Sequence, residues 1–288
     1  YPEHSRYLRF YYNHNHYEYI AMPFGLSSAP RSFIKILAAL VAQARHIPIR
    51  IQCYLDDILI MSSSEHIAHR NTDLICRILQ DHGFSINREK SHLIPTTRLP
   101  HLGAIIDTTE NRIFLSQERQ DSIKSLVEKI RSQNQTPLSD LSKLLGKLVS
   151  CIAIVPWARF HSRSLQWLLL PFQRAGQSNT RAKIFVPRQV KTDLLWWTSR
   201  KVRRGCRIRE PNRTHITTDA SLTGWGAHLH LQSAQGQWSR SESSANINLL
   251  ELRAIRLALI RFRPHIKGQH VLILTDNVTA KAHVNRQG

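Results

Sequence analysis

Two adjacent carboxylates, Asp56 and Asp57, lie between two apolar stretches, Ile51-Gln52-Cys53 and Ile58-Leu59-Ile60. Side chains alternate along a strand, so neighbouring acids cannot share one face unless the backbone bends. Tyr54-Leu55-Asp56-Asp57 therefore predicts a tight turn joining two strands. Like charges this close repel and push one carboxyl towards its neutral form. A divalent cation relieves the repulsion, and Mg2+ takes carboxylate oxygens together with substrate phosphates. An ordinary Asp-Asp turn is the plain alternative, so the surroundings decide.

Before this turn, Tyr7–Tyr12 and Tyr17–Ala21 read as a hairpin around Asn13-His14-Asn15-His16. Met22-Pro23-Phe24-Gly25-Leu26 breaks the strand, and a helix capped by Ser28, with Pro30 in its first turn, runs to about Arg45. After the turn, a helix spans about Ser64–His82 and ends at Gly83. Short strands are expected near Phe84–Asn87, Ser91–Ile94, Leu99–Ile106 and Arg112–Leu115. This order suggests an α+β sandwich of ferredoxin type. From Ser116 to about Leu170 the pattern is helical, with Thr136-Pro137 as a cap and first-turn pair.

Charge points to the partner. Lys plus Arg number 40 and Asp plus Glu 20, so the net charge is +20. Residues 163–213 hold 13 Lys and Arg against Asp193 and Glu210, a net of +11. Arg200-Lys201-Val202-Arg203-Arg204-Gly205-Cys206-Arg207-Ile208-Arg209 is the densest part, read as an interdomain linker that tracks phosphates. A polyanion such as nucleic acid is the expected partner. Hydrophobic residues at 42% exclude a disordered tail, and no apolar run is long enough to cross a bilayer. Cys53, Cys76, Cys151 and Cys206 form no CxxC pair, which argues against a structural zinc site and for a reducing, intracellular compartment.

Four segments in order carry a resemblance. Tyr54-Leu55-Asp56-Asp57 resembles the YxDD hairpin of reverse transcriptases. Met22–Pro30 resembles the preceding stretch in retrotransposon polymerases, Gly83–Lys90 the following palm motif, and Leu99-Pro100-His101-Leu102-Gly103 the primer-grip turn. Leu144-Leu145-Gly146-Lys147-Leu148 is in the style of tyrosine-recombinase (DIRS-like) retrotransposons. The resemblance implies that Asp56, assisted by Asp57, holds metal, that Phe24, Gly25 and Lys90 serve the incoming dNTP, and that Leu102 and Gly103 position the primer end. It also implies an upstream palm aspartate. The only acid before Glu18 is Glu3, in a segment that does not match, so that aspartate and the fingers are expected beyond Tyr1. A chain lacking them is expected to polymerise poorly.

From His215 a second α/β pattern begins. Strands are expected at His215–Asp219 and Gly224–Leu231, a weaker one at Gln237–Ser239, a helix at Leu249–Phe262, and a strand over Val271–Asp276. Asp219 and Asp276 end strands, while Glu251 interrupts an apolar helix face. An acid on such a face is costly unless it is paired or coordinates a cation. A first-turn acid favoured by the helix dipole is the plain alternative for Glu251. In this order the three resemble the ribonuclease H domain of reverse transcriptases, which implies that all three are metal ligands. That family has a fourth acidic position, expected beyond Gly288, and His283 does not match its histidine.

The sequence thus predicts a palm at 1–115, a helical thumb/connection with a basic linker at 116–212, and a C-terminally truncated ribonuclease H-like α/β domain at 213–288. The expected function is RNA-directed DNA synthesis with RNA-strand hydrolysis, using Mg2+ or Mn2+. RNA template, DNA primer, RNA–DNA hybrid and dNTPs are the expected partners. A non-catalytic nucleic-acid-binding remnant is the rival.

Overall fold

The computed structural model describes residues 2–172 and 182–287 and divides into two compact units, Tyr1–Thr97 and Arg98–Gly288. In the first unit, β1 (Arg9–Tyr12) and β2 (Asn15–Glu18) form a hairpin whose two-residue turn puts Asn13 and His14 at positive φ. Both strands are exposed along their whole length. Helix α1 (Ala29–Arg45) starts after Ser28, whose side chain makes no capping hydrogen bond because its backbone is already helical. Pro30 sits in the first turn, where its missing N–H costs nothing.

Strands β3 (Arg50–Tyr54) and β4 (Asp57–Met61) pair with each other, followed by α2 (Glu65–Asp81), whose cap is Ser64. Leu37, Val41 and Ala44 of α1 and Ile75 of α2 close a core with Ile49 and Ile51. Gly83 ends α2 at φ 82°. The strands expected near 84–87 and 91–94 do not form. Residues 88–90 turn instead, with the Lys90 N–H donating to Asn87 Oδ1, and among the described residues β3 and β4 pair only with each other, without the further strands of a ferredoxin-type sheet.

The second unit opens with β5 (Arg98–His101), β6 (Ala104–Asp107) and β7 (Arg112–Leu115) in a meander. Helix α3 (Gln117–Ser132), β8 (Gln135–Pro137), α4 (Leu138–Val149), α5 (Arg163–Leu169), β9 (Lys183–Phe185), α6 (Arg188–Leu195) and β10 (Cys206–Arg207) follow. Thr136 does not cap α4. It lies in β8, pairs with Ile184 across β9, and is fully buried.

The basic region is not a free linker. Val186, Val190, Leu194, Trp197 and Val202 bury in the core beside Leu141, Leu144 and Leu148, so apolar anchors fix the segment while its cations face solvent. Strand β10 pairs with β7, and the Arg112 guanidinium donates to the Arg204 carbonyl. The part of this region from residue 173 to 181 lies outside the described residues.

The last region holds β11 (Arg213–Ala220), β12 (Gly224–Leu229), β13 (Gln232–Gln237), α7 (Arg240–Ser243), α8 (Ile247–Arg261), α9 (Arg263–Ile266), β14 (His270–Leu274) and α10 (Val278–Arg286). The sheet order is β13-β12-β11-β14, with β14 parallel to β11. The third strand precedes the expected 237–239, because β12 ends at Leu229 and His230, at positive φ, turns the chain straight into β13. Ile216, Ala227 and Leu229 of the sheet bury against Ala258 of α8 and Phe262. At its far end, α10 meets the helical region: the Phe160 N–H donates to Gln287 Oε1, and Arg163 donates to the Arg286 carbonyl.

Candidate active site

Strand register builds the first acidic feature. Ile51 opposes Ile60 and Cys53 opposes Ile58, and these side chains face the helices. Tyr54 opposes Asp57 on the other face, which leaves Leu55 and Asp56 as a two-residue turn. Leu55 takes up the reversal at φ 54°. Asp56 and Asp57 are both exposed, and Tyr54 beside them is 59% exposed. Among the described residues, no third Asp, Glu, His or Cys joins these two within a metal-sized cluster.

The other predicted residues of this region are placed separately. Phe24 and Gly25 form a turn before α1, with Phe24 fully exposed and Gly25 at φ 96°. Lys90 is exposed after α2. In the second unit, His101 pairs with Ala104, so Leu102-Gly103 is the whole turn between β5 and β6. Both have positive φ, 49° and 73°, as a primed hairpin turn requires.

The second acidic feature is a cluster. Parallel pairing sets Thr217 opposite Leu274. Asp219 and Asp276 each lie two residues further on, so both emerge at the same end of the sheet. Glu251 is the fifth residue of α8, past the first turn, on the face that carries Leu250, Ala254, Ile255 and Ala258 inward. Ligand oxygens of Asp219, Glu251 and Asp276 all lie within 4.8 Å of one another. Asp219 and Asp276 are exposed, whereas Glu251 is 3% exposed and its Oε2 has no hydrogen-bond partner. The Ala220 N–H donates to Asp219 Oδ1.

Burial, and then the neighbouring charges of Asp219 and Asp276, push Glu251 above the ordinary glutamate range, against the opposing pull of the Ala220 N–H and the Thr275 hydroxyl. A buried carboxylate with an unpartnered oxygen, facing two more carboxylates, is costly alone and is satisfied by a hard cation. The donor set therefore fits a hard divalent cation.

Comparison with known proteins adds to this geometry. Residues 2–115 match the family model described as "Reverse transcriptase (RNA-dependent DNA polymerase)". The matched stretch takes in the Asp56-Asp57 turn, Phe24, Gly25, Lys90, Leu102 and Gly103. The whole chain is 25% identical over 294 residues to the enzymatic polyprotein of cauliflower mosaic virus (strain Strasbourg), covering 94% of this chain and 39% of the relative. It is 23% identical over 272 residues to the retrovirus-related Pol polyprotein from transposon 412 of Drosophila melanogaster, covering 91% and 20%. The chain thus spans about two fifths of the viral relative and a fifth of the transposon one.

Its fold is that of solved reverse transcriptases. The foamy viral protease-reverse transcriptase dRH in complex with double-stranded DNA matches with a TM-score of 0.58 and 17% identity, over 92% of this chain and 45% of that one. The foamy viral protease-reverse transcriptase in complex with an RNA/DNA hybrid matches at 0.56 and 17%, over 92% and 35%. No helix among the described residues is long and apolar enough to cross a membrane.

Sequence reasoning missed the groups around the cluster. Thr275, Asn248 and Asn277 enter its surroundings, and only Asn277 left a local signal, as a cap residue just before a helix.

Proposed function

We propose that the chain is a palm (1–115), thumb/connection (116–212) and ribonuclease H-like (213–288) stretch of a retroelement polyprotein, of the tyrosine-recombinase (DIRS-like) kind. Its work is RNA-directed DNA synthesis and hydrolysis of the RNA strand of an RNA–DNA hybrid. The observation that carries this reading is the carboxylate cluster, with the unpartnered Glu251 Oε2 at its buried side.

In the ribonuclease H-like region, Asp219, Glu251 and Asp276 would hold the cations. Bound Mg2+ or Mn2+ supplies electrostatic stabilisation of the phosphate and of the attacking and leaving oxygens. The chain's own part is positioning. The sheet end fixes Asp219 and Asp276, and α8 fixes Glu251, so little reorganisation is needed when substrate arrives. Glu251 gives up the proton that burial favours as the site loads. The exposed cations at Arg200, Lys201, Arg203, Arg204, Arg207 and Arg209 attract the backbone of the hybrid.

In the palm, Asp56 and Asp57 would hold the polymerase metal, Phe24, Gly25 and Lys90 would serve the dNTP, and Leu102 and Gly103 the primer end. Two carboxylates without a third partner among the described residues favour a second reading for this part, a nucleic-acid-binding remnant. Two assays separate the readings. Cleavage of labelled RNA in a hybrid by the full chain in Mg2+, lost in Asp219→Asn, Glu251→Gln and Asp276→Asn, supports the hydrolytic role, and absence of cleavage refutes it. Primer extension lost by at least ~100-fold in Asp56→Asn, with duplex binding unchanged, supports the polymerase role. If Asp56→Asn changes neither extension nor binding, the palm is a nucleic-acid-binding remnant.

A further inference from the structure

Two of the three acids in the cluster sit on elements joined by a side-chain bridge. Asn277 Nδ2 donates to Asn248 Oδ1 at 3.0 Å, with both side chains partly buried. Asn248 lies three residues before Glu251 on α8, on the same side of the helix. Asn277 directly follows Asp276.

Each end of the bridge is held independently. The Asn248 N–H donates to Asn246 Oδ1 at 2.9 Å, the cap of α8. The Asn277 N–H donates to Thr275 Oγ1 at 3.2 Å, and Asn277 Oδ1 accepts from the Ala280 N–H at 2.8 Å, the cap of α10. The Asn277 amide group is therefore used at both ends, its oxygen for α10 and its nitrogen for α8. A helix cap alone would need only the oxygen.

We propose that the Asn248–Asn277 bridge is a positioning element that sets the separation of the Glu251 helix from the Asp276 loop, and so the opening of the carboxylate cluster. Asp219 and Asp276, joined by Glu251 once it ionises, repel one another when no cation is bound. No backbone hydrogen bond joins α8 to the loop after β14 among those described, so the two are tied through side chains: the Asn248–Asn277 bridge and the Thr275 hydroxyl at Glu251. The inference rests on the ribonuclease H-like reading of the cluster for its chemical purpose, and on geometry alone for the mechanical link.

The test uses the full chain with Asn248→Leu, which removes the acceptor, and Asn277→Ser, which keeps a capping oxygen but cannot reach α8. Mn2+ binding is followed by electron paramagnetic resonance, and amide hydrogen exchange is followed without metal. Each single variant is expected to weaken Mn2+ binding by about 5- to 10-fold, and the double variant by no more than a single one, as for two halves of one contact. For hybrid cleavage, kcat should fall while KM holds. Without metal, Asn248→Leu should speed exchange at Ala280, on the other element.

Additive losses in the double variant, or unchanged Mn2+ affinity in folded single variants, would overturn the proposal. Unchanged exchange at Ala280 would do so even if the protein bound no metal. A wild type that neither binds Mn2+ nor cuts a hybrid, yet shows the exchange coupling, removes the ribonuclease H-like reading and leaves the bridge standing.

Discussion

Replacing Glu251 by Gln removes one charge from the cluster and keeps the volume of the side chain. Each carboxylate pair is within 4.8 Å. At that separation two unit charges repel by about 1 kcal/mol in water and about 3 kcal/mol at an effective dielectric near 20. Asp219 and Asp276 are exposed, so solvent screens both, and relief of about 1–3 kcal/mol in total is expected without metal. In a unit of this size 1 kcal/mol moves Tm by about 2–4 °C, so Glu251→Gln should melt about 2–12 °C higher in EDTA at pH 8.

The pH dependence follows from the raised pKa. The folded protein holds the Glu251 proton more tightly than the unfolded chain does. Stability from this group is therefore fully present below the ordinary value of 4.5 and is lost as pH rises through the elevated folded value. Differential scanning calorimetry of wild type and Glu251→Gln from pH 5 to 8 should show the two diverging with rising pH. Mg2+ should raise the Tm of the wild type and have little effect on the variant. A variant that melts lower in EDTA, with an undiminished response to Mg2+, would show that Glu251 is a packing residue and not part of a cation site.

Other expectations follow from the same structure. Arg203→Gln with Arg204→Gln should weaken hybrid binding at low salt and lower the slope of log K against log salt by about 0.9 for each phosphate contact removed, measured by fluorescence anisotropy. An unchanged slope would assign those side chains to solvent alone. Thr136 is fully buried with an unpartnered hydroxyl, so Thr136→Val should raise stability by about 0.5–1.5 kcal/mol in urea unfolding, because the methyl needs no partner. A loss of stability would mean that the hydroxyl is satisfied by water.

Short-range rules carry much of what the sequence makes legible. Tyr54–Asp57 reads as a turn because neighbouring acids cannot both stay on a strand face, whereas the single strand expected over Leu99–Ile106 is split into β5 and β6 by the positive φ of Leu102 and Gly103. Glu251 stands out because an acid on a leucine-rich face is costly unless something compensates it. The rest depends on partners distant in sequence. Strand β8 pairs with β9 some 46 residues later, and this pairing turns Thr136 from an apparent cap into a buried strand residue. Val186, Val190 and Val202 are spaced too sparsely among cations to announce a core segment, yet all three are buried in one. Residues 84–94 show the opposite error, with β-forming side chains that find no strand to pair with.

The matched overhang of β11 and β14 restricts where this region can change length. Insertion of one residue inside either strand would shift its acid out of step with the other and turn it to the opposite face of the sheet. The crossover between them is under no such constraint at the hairpin of β12 and β13, whose bend points away from the acids. Sequence drift by insertion or deletion is therefore channelled into the β12–β13 bend, while the spacing from Thr217 to Asp219 and from Leu274 to Asp276 is held to two residues.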